Sequence, residues 1–326
     1  MNLSISRKSI FCSLALAAGM TLLNVNNCAQ ALESPQLPKA MMLNSDKSAA
    51  YYSFPCFGSA KAHLIVFDTN SKAWQLRPFI SDKTKSTSLT AQEQKAIAAI
   101  NAGFFNLSDG VSASYLTING KEVANPRTNK ALIENPKLKP YLEAIYNRSE
   151  IRFYKNSKNV LTLDVVTHNS PMPKGLKLLH SLQGGPQLLP TDTSEIEAFI
   201  RTNPDGTPAD SIGTRKPAAR TAFGITKDGK AMLLCVAGKG QDPESSGVTL
   251  AQIAELLKSL GCDKAINLDG GASTTMYAKI PAMAEVMAAE QTQIQDAANA
   301  GAVSKDSVCG KNPETRVKSI LGIVKK

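Results

Sequence analysis

The chain has 326 residues, 43% of them apolar and 6% aromatic, and a formal net charge of +10. Its basic residues are spread along the sequence, without the clustered stripe or aromatic interleaving of a nucleic-acid surface, so no nucleic-acid partner is expected. A diffuse positive field instead suits acidic partners such as phosphorylated glycans or anionic envelope polymers, or serves solubility alone.

The N-terminus reads as an address. Arg7-Lys8 precedes an apolar run from Ile10 to Val25, and Ala29-Gln30-Ala31 supplies small residues for cleavage. The run is short and broken compared with the roughly 20 residues of a membrane span. Residues 1–31 are therefore expected to be a signal peptide, making the chain exported, periplasmic or secreted, with no stable membrane insertion after cleavage. Asn26-Asn27 before Cys28 argue against a lipid anchor. Removing 31 of the 326 residues leaves 295, and loss of Arg7 and Lys8 lowers the net charge from +10 to +8. Residues 32–55 are expected to be a flexible lead-in, and 56–326 a single domain with an insertion around 279–311. Four cysteines remain, Cys56, Cys235, Cys262 and Cys309. An even number in an exported chain suggests disulfides, with the pairing open. Cys235, in an apolar run, reads equally well as a buried thiol. None of the spacings resembles a zinc site.

His63–Asp68 and Trp74–Ile80 have strand character, joined by a hairpin signal at Thr69-Asn70-Ser71-Lys72. Thr90 and Glu93 form a capping-box pattern that predicts a short helix to about Ala99. Asn119-Gly120 is a two-residue turn signal between Ser114–Ile118 and Glu122-Val123. A short helix near Tyr141–Tyr146 and a strand pair at Ile151–Tyr154 and Val160–Val166 follow. Residues 201–218 are polar and rich in Gly and Pro, and long loops in compact domains are often functional. Arg220–Thr226 and Ala231–Ala237 are strands. Thr249 and Gln252 make a second capping box ahead of a stripe of Leu250, Ile253, Ala254, Leu257 and Leu260, with Gly261 as the C-terminal cap. A short strand, Ala265–Leu268, runs into Asp269-Gly270-Gly271. Residues 281–300 read as helical, and Arg316–Val324 as a closing strand. Hairpin-linked strands with few helices predict an α+β fold, a mixed and largely antiparallel sheet with a few packed helices.

Four segments set glycines or polar residues beside apolar strands: Asn101–Phe105, Gln183–Leu188, Arg220–Gly224 and Asn267–Thr275. The glycines after Asp269 permit close backbone approach to a ligand, and their successive N–H groups can form an anion nest. Asp269 itself suits three roles: a base, an acceptor for sugar hydroxyls, or an oxygen ligand for a hard cation. A plain tight turn capped by Asp269 explains the same residues. Asn101 can both donate to and accept from a sugar hydroxyl, or serve as a turn residue. Arg220 offers a planar fork for phosphate oxygens. His63, His168 and His180 have no metal-ligand spacing. The chain has no G-x-S-x-G elbow, P-loop or H-E-x-x-H motif, which argues against an elbow-type esterase, a P-loop hydrolase and a zincin.

These segments, in this order, resemble the phosphodiester glycosidase family, the uncovering-enzyme-like N-acetylglucosamine-1-phosphodiester alpha-N-acetylglucosaminidases and their exported bacterial members. The resemblance rests on N-A-G-F-F at 101–105, G-G-P at 184–186, A-R-T-A-F-G at 219–224, N-L-D-G-G-A-S-T-T-M at 267–276, and Arg316 before the last strand. Ala102 and Ala272 replace family glycines, and Ala219 replaces a proline. Val236-Ala237-Gly238-Lys239 stands where relatives often have an Asp-Gly-Arg-like turn. The resemblance implies a hydrolase cleaving a sugar-1-phosphodiester in envelope or extracellular glycans. Asp269, Arg220 and Asn101 would be catalytic. Gly270, Gly271, Ser273, Thr274, Gly185 and Arg316 would bind a sugar-phosphate or polysaccharide substrate. No cofactor is required, and a divalent cation near Asp269 is a weaker option. The alternatives are a polysaccharide-binding protein without catalysis, a hydrolase of another envelope linkage, and a metal-dependent phosphodiesterase.

Overall fold

Alternation along the strands sets the architecture. In Ala60–Asp68, Leu64 and Phe67 are fully buried, as are Phe223 and Leu233 in the strands Arg220–Thr226 and Lys230–Val236. Both faces of this central region are apolar, so both must be covered. The computed structural model describes residues 36–281 and 306–326. A seven-stranded sheet runs in the order Met41–Met42, Ala49–Cys56, Ala60–Asp68, Lys230–Val236, Arg220–Thr226, Cys262–Asn267 and Gln187–Leu189. One of its faces packs Ala222, Leu234 and Leu188 against Ile253, Leu256 and Leu257 of the helix Leu250–Ser259. The other packs Ile65, Phe223 and Ile266 against Ile100 and Leu321, and against Phe153 and Leu182.

Those partners belong to two five-stranded sheets. One holds Ser307–Cys309, Met276–Ala278, Ala98–Asn101, Arg316–Lys325 and Trp74–Ser86. The other holds Lys121–Ala124, Leu116–Ile118, Leu176–Gln183, Ser149–Asn156 and Leu161–Thr167. A small hairpin pairs Ile200–Thr202 with Pro208–Asp210. Every strand pairing among the described residues is antiparallel, and the helices are few and short, so the fold is α+β as expected. Each fully buried leucine or isoleucine in these layers contributes about 1.5–3 kcal/mol.

Several local expectations match. The capping box at Thr249 and Gln252 is formed, and Gly261 follows the helix with φ +90°. Asn119 and Gly120, at φ +53° and +73°, make the tight turn between Leu116–Ile118 and Lys121–Ala124. Others need correction. The 63–80 hairpin does not form: Ala60–Asp68 pairs with Lys230–Val236 and Ala49–Cys56, whereas Trp74–Ser86 pairs with Arg316–Lys325 in another sheet. The first helix, Thr87–Glu93, is capped by Ser86, and Thr90 lies inside it. The flexible lead-in ends before residue 55, because Ala49–Cys56 pairs along its whole length with Ala60–Asp68 and buries Ala49 and Tyr51. Among the described residues Cys56, Cys235, Cys262 and Cys309 are free thiols, so the disulfides expected among them do not form, and burial pushes Cys262 and Cys309 up to about 12. The signal segment, all but the first residue of the predicted helix at 281–300 and most of the 279–311 insertion lie outside the described residues. No helix among the described residues is long and apolar enough to cross a membrane.

Candidate active site

Strand Cys262–Asn267 runs between Arg220–Thr226 and the edge strand Gln187–Leu189 of the seven-stranded sheet and releases the chain at Asp269. The turn is fixed from several sides. The Asp269 N–H donates to the Ala102 carbonyl at 2.9 Å, Leu268 N–H to Thr221 at 2.9 Å, and Gly271 N–H to Ala219 at 2.8 Å. Gln241 Nε2 donates to the Gly271 carbonyl at 2.8 Å. Glycine is needed at 271 because φ is +59°, a left-handed value that a side chain would strain.

The turn forms one wall of a cleft of about 300 Å³ lined by Phe104, Ser211, Ile212, Ala218, Arg220, Asn267, Leu268, Asp269, Gly270 and Gly271. Asp269 is the one carboxylate in this lining. Burial raises its pKa to about 7, against hydrogen bonds from the Ser273 hydroxyl and the Gly270 N–H that favour the charged form. A carboxyl titrating near neutrality can both accept and donate a proton. A larger cleft of about 700 Å³ lies elsewhere, with Asp82, Glu122 and Lys318 in its wall. The Asp-Gly-Gly turn lines the smaller cleft and not the larger one, so the smaller cleft is the better candidate.

The sequence-predicted residues divide into three groups. Asp269, Gly270, Gly271 and Arg220 line the cleft, and Ser273 stands behind Asp269. Asn101, Gly185 and Thr274 belong to the supporting structure. Asn101 is fully buried, and its amide is committed to Asp269, Thr221 and Thr275. Gly185 N–H donates to the Asn267 carbonyl and its own carbonyl accepts from the Asn267 side-chain amide, and Thr274 is buried. Arg316 stands apart: its side chain is exposed, and its Nε donates to the Thr84 carbonyl.

Arg220 is not free to act as a phosphate fork. Its Nε donates to Val248 at 3.1 Å, Nη1 to Ile212 at 2.9 Å, and Nη2 to the carbonyls of Gly213 and Lys216. Four of its five N–H groups are thus used, and it fastens the 212–216 loop to the sheet. Burial lowers its pKa, which Asp210 opposes. Among the described residues no three His, Cys, Asp or Glu side chains converge as metal ligands, and Asp269 contributes a single carboxylate to its cleft.

Sequence reasoning missed Phe104, Ser211 and Asn267. Asn267 belonged to the quoted motif, and its Nδ2 donates to the Gly185 carbonyl at 2.8 Å. Ser211 lay in the loop flagged for its length and composition.

A model of the phosphodiester glycosidase family matches residues 94–324. Among solved structures, the catalytic domain of zebrafish N-acetylglucosamine-1-phosphodiester alpha-N-acetylglucosaminidase aligns with a TM-score of 0.57 at 17% identity, over 88% of this chain and 87% of that one. A hypothetical protein from Synechocystis aligns with a TM-score of 0.56 at 14% identity, over 89% of this chain and 64% of that one, so this chain spans under two thirds of that protein's length. At these identities the likenesses establish a shared fold. No curated protein sequence matches the chain.

Proposed function

The chain belongs to the phosphodiester glycosidase family, and from that premise we propose that it is an exported hydrolase that cleaves the sugar–oxygen bond of a glycosyl phosphodiester in envelope or extracellular glycans. The observation that carries this reading is Asp269, a carboxyl brought to a pKa of about 7 at the rim of a glycine-lined cleft. In its ionised form Asp269 takes a proton from water as the oxygen attacks the anomeric carbon. The sugar–oxygen bond breaks with its electron pair going to the bridging oxygen, and a phosphomonoester departs. Because this leaving group is already a weak base, little protonation is needed, and one carboxylate can serve where most glycosidases use two. Gly270 and Gly271 bring the backbone close to the sugar, and Arg220 holds the facing loop. Export is supported by the charged, apolar and small-residue pattern of residues 1–31.

A polysaccharide binder without turnover is the second reading, favoured by the single carboxylate in the cleft lining. The test is turnover of a small GlcNAc-1-phosphodiester by the purified protein beside Asp269→Asn, with products identified by mass spectrometry. Free sugar that disappears in the variant upholds the hydrolase. Saturable glycan binding with no product from any sugar tried favours the binder.

A further inference from the structure

The core-facing side of strand Ser149–Asn156 changes character at its end. Phe153 is fully buried in the core, and two residues on the same side carries Lys155, which is half-buried. The antiparallel register sets Lys177 directly opposite Lys155, with Leu161 on the other flank. Side chains paired in this way have Cβ atoms about 4.5–5.5 Å apart, and like charges so placed are destabilising. Lys158 and Lys174, both exposed, add positive charge from the adjoining turns.

Lys155 and Lys177 both line a recess of about 420 Å³. No carboxylate stands in its wall, and among the described residues neither lysine forms an ion pair. The repulsion between the two is therefore left uncompensated by the protein. The rest of the wall is largely turn: Asn119 follows Leu116–Ile118, and Ser157 and Asn159 follow Ser149–Asn156. Their amides and hydroxyl can both donate to and accept from the hydroxyls of a sugar. No aromatic side chain lines the recess, so it lacks the platform on which a nucleobase would stack. It shares no residue with the cleft at Asp269.

We propose that Lys155 and Lys177 form a second ligand site, which takes the phosphomonoester of a phosphorylated sugar while Asn119, Ser157 and Asn159 receive the sugar hydroxyls. A phosphomonoester carries a charge of about −1.5 to −2 near neutrality, which matches two facing ammonium groups better than a carboxylate does. An anion seated between the lysines turns their repulsion into attraction for the ligand. The site stands on its own geometry and does not rest on the hydrolase reading, although hydrolysis at Asp269 would leave a phosphomonoester on the glycan.

The test is a calorimetric titration of the purified protein with glucose 6-phosphate and with glucuronate. Wild type is compared with Lys155→Ala/Lys177→Ala, and with Lys72→Ala/Lys227→Ala, which removes the same charge outside the recess. The expected result is a dissociation constant for glucose 6-phosphate about ten- to hundredfold higher in the first variant and unchanged in the second, because charge-assisted hydrogen bonds are lost. Wild type should bind glucuronate more weakly than glucose 6-phosphate. Thermal unfolding of Lys155→Ala/Lys177→Ala should show a midpoint at or above that of wild type, since the facing charges are gone. If that variant does not fold, Lys177→Ala, at an exposed position, decides alone. No binding to wild type at tens of millimolar, an unchanged constant in the recess variant, or an equal rise in both double variants overturns the proposal. Glucuronate bound as tightly as glucose 6-phosphate overturns the assignment to a phosphomonoester.

Discussion

The Asn101 side-chain amide donates to the Asp269 carbonyl at 2.6 Å from the end of a strand in a different sheet. Its Oδ1 accepts from Thr221 Oγ1 at 2.7 Å and from Thr275 N–H at 3.0 Å. One fully buried side chain therefore ties Ala98–Asn101 to Arg220–Thr226 and to both ends of the Asp-Gly-Gly turn. The position of the titrating carboxyl is set by a residue that the cleft lining does not include.

Asn101→Ala leaves the Asp269 carbonyl, the Thr221 hydroxyl and the Thr275 N–H without their partner in a buried region. Loss of unfolding free energy on the order of 3 kcal/mol is expected, measured by urea denaturation. Adding Thr221→Val to this variant costs less than Thr221→Val alone, because the two residues share one hydrogen bond. Full additivity of the two losses would show that the bond contributes nothing.

Asp269 in its proposed role must be ionised. Its pKa of about 7 then predicts that turnover rises with pH through about 7 and levels above it. Asp269→Asn lowers kcat by roughly 10²–10⁴ and removes this limb from any residual activity. A wild-type rate flat from pH 5 to 9 counts against Asp269 as the base.

The same shift has a consequence for stability with the opposite slope. The folded protein holds the Asp269 proton more tightly than the unfolded chain, since its pKa stands near 7 instead of the ordinary 3.8. The resulting stabilisation is fully present below about pH 4, and is lost as pH rises through about 7. Thermal midpoints at pH 5 and pH 8 should show a fall across this window that Asp269→Asn reduces. An equal fall in both proteins assigns the pH dependence to other groups.

The Asp-Gly-Gly turn was legible because its chemistry is local: an acid, two small residues and hydroxyls behind a short strand. The helix Leu250–Ser259 was legible because cap, stripe and glycine all agree. Long-range facts were not. Thr69-Asn70-Ser71-Lys72 is a sound turn signal, but Arg316–Lys325, some 240 residues on, draws Trp74–Ser86 into another sheet. An even cysteine count says nothing of where thiols point, and Cys235, Cys262 and Cys309 are simply buried. Arg220 was misread because the carbonyls that the 212–216 loop turns inward cannot be counted from sequence.

That loop gives the clearest test of how Arg220 acts. Arg220→Lys keeps the charge but replaces a five-donor fork with a three-donor point, so at least one of the carbonyls of Val248, Ile212, Gly213 and Lys216 loses its donor. If Arg220 fastens the loop, the variant loses on the order of 3 kcal/mol in chemical denaturation. Its KM for a glycosyl phosphodiester should change little, because the Arg220 donors are already spent on those carbonyls. Unchanged stability with a KM raised more than tenfold would return Arg220 to the substrate and leave the loop to be held by its backbone alone.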